Sequence, residues 1–277
     1  FRNFASMRKI ILTLAMLAIC TAAFAQAQIT TKKEKVSDFM VRTMKVALTG
    51  NDFIDIPFKE AVKNTWTLSP FEFCTIDEFK KMMGRDDLYF LVPTKVKYKT
   101  EARPGTMMLT LYKGRSGAKD PGRLVEVVSM PLCSADNPSG REAAMMPGIM
   151  DILQSYISKS LASRFSPIST MVRKRPAGCR VYFAEDEISP SISPEAAGKL
   201  RQKGALIEKS EVADSIFIEG EAGTAVSYLI SPAFPEKGSV CWKMIINSRT
   251  HELHYMKKEV LKGESAGFTK GEISKFR

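Results

Sequence analysis

Three consecutive carboxylates, Glu185, Asp186 and Glu187, are the side chains whose types and spacing best suit chemistry. They directly follow residues 180–184, a short run typical of a buried strand. In a parallel α/β unit, ligands bind beyond the carboxyl ends of the strands. Carboxylates there can bind a divalent cation or act as a general base, although a solvated acidic loop is the plainer interpretation. We therefore treat these three residues as candidate ligand-binding residues.

The chain has two histidines, His251 and His254, and their H-x-x-H spacing raises the question of a metal site. Residues 252–257 alternate as a strand does, and side chains three apart on a strand point to opposite faces. No further ligand type lies at metal-binding spacing nearby. The sequence therefore predicts no metal site and no cofactor, with one histidine at a turn and the other on the surface of a hairpin.

The common catalytic signatures are missing from the sequence. It contains no glycine-rich dinucleotide fingerprint, no P-loop and no nucleophile elbow. A serine or cysteine nucleophile needs a positioned base, and both histidines lie on one predicted hairpin. These observations favour a non-catalytic role, but an enzyme that uses carboxylates alone is still an alternative.

Four cysteines lie outside the N-terminal leader and are far apart, so zinc or thioredoxin-type chemistry is not indicated. In an exported protein they can form up to two disulfides, with three alternative connectivities. Buried free thiols fit their apolar surroundings equally well. The cysteines are Cys74, Cys133, Cys179 and Cys241.

Residues 1–25 have the parts of a secretory signal peptide preceded by a few leader residues. A basic start is followed by a short apolar run and by Ala23-Phe24-Ala25, a small-x-small cleavage pattern. The run is shorter than a bilayer span, so we expect no transmembrane segment; a buried N-terminal helix is the alternative. Cys20 follows a bulky isoleucine, whereas a lipid-acceptor cysteine follows a small residue. We therefore expect a soluble periplasmic or secreted product, although lipidation of Cys20 stays open.

The formal net charge of +11 falls to +8 once the three basic residues of the leader are removed. Basic and acidic residues are interleaved, and no aromatic-basic motif is visible, so we predict no nucleic-acid partner. The densest basic cluster is Arg173, Lys174 and Arg175, next to Pro176. It is typical of a solvated connector, and a weak contact with an anionic surface is the alternative.

The apolar periodicity changes repeatedly between two and 3.6 residues, which indicates strands alternating with helices. We predict a mixed α/β protein (α+β, mixed sheets) built from two similar β-α-β-α-β-β-β halves, with helices packed on one face of each sheet. The first half is residues 26–133 and the second, which ends in a hairpin, is residues 179–277. Residues 134–178 form a linker loop, a long helix and the basic connector.

Local signals place several helices in this scheme. Pro57 suits the first turn of a helix, and a regular long helix is expected from about Ile149 because Pro147 precedes it. Thr75 and Glu78 have the spacing of a capping box. Ser193 is a predicted N-cap.

Two segments carry a resemblance to a group of proteins. Residues 57–73 (PFKEAVKNTWTLSPFEF) and 250–256 (THELHYM) resemble uncharacterised exported proteins of Bacteroidetes-type bacteria, and the signal ending Ala25-Gln26 is similar to theirs. The element order also resembles envelope modules of the curli-secretion lipoprotein and of the N-terminal domain of the Tol translocation protein, an analogy of fold alone. This resemblance implies export but no activity, so it transfers no site residue.

The sequence thus predicts an exported, non-catalytic binding or assembly module of the bacterial envelope, whose partner is an envelope protein or a small ligand. The alternative is a carboxylate-based periplasmic enzyme or cation-binding protein with its site at the strand carboxyl ends.

Overall fold

The computed structural model describes residues 37–162 and 178–277. The predicted signal peptide and the cluster Arg173, Lys174 and Arg175 lie outside the described residues. A single-turn 3-10 helix, Phe39–Val41, precedes the first strand. The elements of the first half are β1 (Met44–Leu48), α1 (Asp52–Thr65), β2 (Phe71–Thr75), α2 (Ile76–Met82), β3 (Tyr89–Val96), β4 (Thr106–Lys113) and β5 (Val125–Ser134).

The long helix α3 (Arg141–Ala162) connects this half to the second. The elements of the second half are β6 (Arg180–Ala184), α4 (Pro194–Gln202), β7 (Leu206–Glu208), α5 (Ser210–Ile218), β8 (Thr224–Ile230), β9 (Val240–Asn247), β10 (Leu253–Val260) and α6 (Lys270–Phe276). A 3-10 turn, Glu185–Glu187, follows β6 directly.

The two halves share one sheet topology. The first sheet has the order β2-β1-β3-β4-β5, and the second has the equivalent order β7-β6-β8-β9-β10. In each sheet the first three strands are parallel and the last two are joined antiparallel. The predicted mixed α/β class with two similar halves is therefore confirmed.

The helices lie on both faces of each sheet rather than on one. Helix α1 packs on the face of the first sheet that carries Val46, whereas Phe79 of α2 packs on the opposite face with Ala47. The strand order explains this arrangement. The chain crosses from β1 to β2 and then returns past β1 to β3, and right-handed crossovers in opposite directions place their helices on opposite faces.

Equivalent helices of the two halves occupy different positions relative to the interface. In the first half, α1 contributes to the core shared by both sheets and α2 lies outside it. In the second half, α4 and α6 pack on the outer face, and α5 contributes to the shared core. The two halves therefore meet through non-equivalent faces of the same fold.

Helix α3 packs in the shared core between α1 and α5. Its apolar side is fully buried at Met145 and Ile149. A Cβ at Gly148 would come within 2.6 Å of Cζ of Phe217 on α5, so glycine is needed for the close approach of these helices. Pro147 lies inside α3, which begins at Arg141 rather than near Ile149.

Side-chain caps explain why α1 and α3 begin earlier than expected. The Asn51 side chain accepts from the backbone N–H of Phe53, and the Asp55 carboxylate accepts from the N–H groups of Thr49 and Gly50. The predicted first turn at Pro57 is therefore inside α1, which begins at Asp52. At α3, the Glu142 carboxylate likewise accepts from the N–H groups of Ser139 and Gly140.

Candidate functional site

The three predicted site carboxylates follow β6 as expected, but their side chains diverge. Glu185 is exposed and lies 3.7 Å from Nη2 of Arg201. Asp186 is exposed and accepts a hydrogen bond from the Ser210 hydroxyl at 3.0 Å. Glu187 is buried. The three groups therefore do not converge on one point.

Glu187 is the acceptor at the centre of a buried polar network. It pairs with the guanidinium of Arg141 at the N-terminus of α3. It also accepts from the Ser227 hydroxyl at 2.5 Å and from the backbone N–H of Leu229 at 2.8 Å. Arg141 in addition lies 2.7 Å from Oδ1 of Asp214 on α5. This network fixes the start of α3 against the second sheet.

The electrostatics of this network keep Arg141 charged. Burial alone would lower the pKa of Arg141, but the adjacent carboxylates of Glu187 and Asp214 outweigh burial and raise the pKa. Arg141 is 6% exposed, so its charge is neutralised within the protein. The two oxygens of Glu187 already accept from three groups, so this carboxylate is fully engaged within the network.

A cleft of about 450 Å³ opens over this network, between the loop before α3 and the second sheet. It lies at the carboxyl end of β6, where ligands bind in related α/β architectures. Most of the lining residues are of polar type, and they come from both halves: Cys133, Ser134, Asn137, Ser139, Gly140, Arg141, Asp186, Glu187, Ser210, Glu211, Asp214, Tyr228, Leu229, Ile230, Ser231 and Ala233.

The hydroxyl of Ser134 is a buried polar group without a partner in this cleft. Ser134 is the last residue of β5 and is 8% exposed. Its Oγ has no hydrogen-bond partner among the described residues. A buried polar group usually has one, because leaving it unpaired costs free energy. Ser134 is therefore a candidate ligand contact.

A second hollow of about 410 Å³ adjoins the cleft at the start of α1. The two share Asn137, Ser139 and Gly140 as a common wall. Phe53 lines the second hollow with 86% of its surface exposed. Residues 50–53 come just after β1, as the acidic turn comes just after β6. The carboxyl ends of these two equivalent strands therefore both lie beside the loop that precedes α3.

Sequence reasoning located the acidic turn but missed Arg141, Ser134 and Asp214. Glu187 and Arg141 are 46 residues apart in the chain, and no local pattern links them. The loop preceding Arg141 was interpreted as a boundary between halves because of its polar, Pro- and Gly-containing composition. A lone arginine after such a loop gives no signal that it is buried.

The histidines occupy separate environments. His251 has a positive φ of 52° at the β9–β10 turn, places Nδ1 2.7 Å from Oδ2 of Asp151, and stacks on Phe217. His254 is 7% exposed on β10, so it is buried rather than on the hairpin surface, and burial lowers its pKa. Within residues 37–162 and 178–277, no group of three or more His, Cys, Asp or Glu side chains could hold a metal ion.

All four cysteines outside the leader are free thiols, and three of them are buried. Burial raises the pKa of Cys133 and Cys241 to about 12 and that of Cys74 to about 11. Cys133 lines the cleft. It therefore presents a protonated, unreactive thiol there at neutral pH.

Comparisons with models of protein families, with curated proteins and with solved structures found no significant match. In the described part of the chain, no helix combines the length and apolar character needed to cross a bilayer. Function is therefore inferred from the cleft itself.

Proposed function

We propose that the protein is an exported, non-catalytic binding module of the bacterial envelope, and that its ligand binds in the cleft between the two halves. Export is supported by the signal-peptide pattern of the leader. The observation that carries the choice of site is the Ser134 hydroxyl, which is buried without a partner among the described residues and belongs to a residue that lines the cleft. Its oxygen is closed to solvent, so a ligand reaches it by displacing the atoms that cover it. A ligand that donates to or accepts from this hydroxyl removes that deficit.

Binding fits the cleft better than proton transfer does. Glu187, the deepest carboxylate, is neutralised by Arg141 and held by Ser227. The Cys133 thiol is protonated because burial raises its pKa to about 12. Asp186 is engaged by the Ser210 hydroxyl. These groups form a fixed set of donors and acceptors, which suits recognition of a small polar molecule.

The first test compares the full exported chain with the variant Ser134→Ala. We expect Ser134→Ala to weaken binding about five- to tenfold, the effect of one lost hydrogen bond. We expect it to leave the unfolding midpoint unchanged or slightly raised, because the hydroxyl has no partner to lose. Binding is measured by NMR titration against a set of small neutral, cationic and anionic polar compounds, with the backbone amides of Ser139, Ser210 and Ser231 as reporters.

Thr106→Val is the matched control. Its hydroxyl is also buried without a partner among the described residues, but Thr106 does not line the cleft. It should reproduce the stability effect of Ser134→Ala and leave binding unchanged. The proposal fails if no compound shifts the three reporter amides, or if Thr106→Val and Ser134→Ala weaken binding equally.

A further inference from the structure

We infer that the ligand of the cleft is an organic amine, whose ammonium group lies among the acidic side chains and whose apolar part extends over Phe53. This inference rests on the proposed function, because it specifies the ligand class of the same site. Three observations carry it: the charge of the lining, the buried Ser134 hydroxyl and the apolar hollow that shares a wall with the cleft.

The cleft is acidic although the chain as a whole is basic. Its lining contains four carboxylates and one guanidinium, so three negative charges are in excess, whereas the whole chain has a formal net charge of +11. Arg141 is already paired with Glu187 and Asp214. Asp186 and Glu211 form no ion pair with another described residue. A cationic ligand is therefore attracted to this surface, and an anionic one is repelled.

The positions of the acids favour an ammonium group over a metal ion. Glu185 lies near Arg201, outside the cleft lining, and Glu187 already accepts hydrogen bonds within the protein. Of the acidic turn, only the Asp186 carboxylate is therefore accessible to a ligand in the cleft. Hard cations need several converging oxygen ligands at short distance. An ammonium group carries three donors and suits separate acceptors such as Asp186, Glu211 and the Ser134 oxygen.

The adjoining hollow indicates what the rest of the ligand is like. Phe53 projects from the first turn of α1 with most of its ring exposed, which is uncommon for so large an apolar side chain. It lies across the shared wall of Asn137, Ser139 and Gly140 from the acidic cleft. An amine whose ammonium group lies in the cleft can therefore extend an aromatic or aliphatic tail over this wall toward Phe53.

The test uses phenethylamine, its neutral counterpart 2-phenylethanol, its anionic counterpart phenylacetate, and the tail-less ethanolamine. We expect phenethylamine to bind most tightly and to shift the reporter amides of Ser139, Ser210 and Ser231. We expect the double variant Asp186→Asn, Glu211→Gln to weaken its binding about tenfold, and Phe53→Ala to weaken phenethylamine but not ethanolamine. Both acids and Phe53 are exposed, so the variants should fold normally, which thermal unfolding checks.

Glu185→Gln is the charge control, because it removes one negative charge from the same turn as Asp186 but outside the cleft lining. It should change affinity less than twofold. Equal losses from Glu185→Gln and the double variant would show only long-range attraction and overturn the inference. Binding of 2-phenylethanol, phenylacetate or Ca²⁺ at the reporter amides in preference to the amines would also overturn it, but would leave the proposed binding site standing. If no compound of the wider screen shifts those amides, the proposed function itself fails.

Discussion

The pairing of Arg141 with Glu187 connects the start of α3 to the second sheet through side chains that are both almost fully buried. Burying two charges is costly, and their attraction compensates only when the remaining hydrogen bonds are made. Here the Ser227 hydroxyl and the Leu229 amide complete the shell of Glu187, and Arg141 also donates from Nε to Oδ1 of Asp214 at 2.8 Å. Replacing one partner of the pair therefore destabilises the folded protein far more than replacing both with neutral side chains.

A double-mutant experiment tests this at the residue scale. Arg141→Met should destabilise the protein by about 3–5 kcal/mol, because it leaves Glu187 charged and buried without a counter-ion. Adding Glu187→Gln should recover much of that loss, since glutamine is neutral, its one oxygen can accept from the Leu229 amide, and its NH2 group can donate to the Ser227 hydroxyl. Urea unfolding at pH 7 measures both. A double variant no more stable than Arg141→Met would contradict this account.

Among the elements, α6 depends most on a single side chain. Glu272 forms the capping box of α6 with Thr269, and it also binds Lys243, Lys257 and the hydroxyl of Tyr255. Lys243 is 1% exposed, so the network is buried beneath the helix. Burial alone would raise the pKa of Glu272, but the Thr269 amide and the two lysines outweigh it and lower the pKa to about 2.

This shift predicts a pH dependence of stability. Because the folded pKa of Glu272, about 2, is below the ordinary 4.5, its contribution is present above pH 4.5 and is lost as pH falls toward 2. The stabilisation that the shifted pKa of Glu272 gives the folded protein at pH 7 is about 3 kcal/mol. Glu272→Gln should lower stability at pH 7 and flatten the acid loss between pH 4.5 and 2 in urea unfolding. Glu264 is exposed in the loop before α6, so Glu264→Gln serves as the control. It should change neither the stability at pH 7 nor the loss of stability between pH 4.5 and 2.

Elements governed by local chemistry were the ones that the sequence predicted well. The predicted capping box of Thr75 and Glu78 is present, and Ser193 caps α4 as predicted. Pro57 alone predicts a start of α1 that is too late, because the Asp55 carboxylate closes the loop that precedes the helix. The acidic turn at the end of β6 was located, but its partner Arg141 was not, because their contact depends on the packing of α3 against the second half.

At the scale of the whole molecule, the halves are joined by contacts that neither makes alone. The Glu101 carboxylate in the β3–β4 connection accepts from the N–H of Val240 in β9 at 2.8 Å. The hydroxyl of Tyr228 in β8 donates to the carbonyl of Leu132 in β5 at 2.6 Å. Nζ of Lys258 lies 3.6 Å from the centre of the Tyr98 ring. Together with the shared core, these contacts predict a single cooperative unit.

Each half contains one tryptophan, Trp66 or Trp242, so their unfolding can be followed separately. In the single-tryptophan variants Trp66→Phe and Trp242→Phe, the fluorescence midpoint should coincide with the midpoint of far-UV circular dichroism of the same variant. We expect coincidence because α3 and the common core connect both sheets. Separate midpoints within one variant would show that the halves unfold independently.

The packing of α1 inward and its counterpart α4 outward has a consequence for assembly. A two-fold symmetric dimer forms when the same surface patch of each copy contacts the other copy. The contact between the two halves instead joins the α1 side of one half to the α5 side of the other, so this contact is heterologous. Two identical copies of the first half could not reproduce it as a closed pair, since each would keep one unsatisfied side for a third copy. In this chain those remaining sides are closed by α2 in the first half and by α4 and α6 in the second, so neither is left open to a further copy.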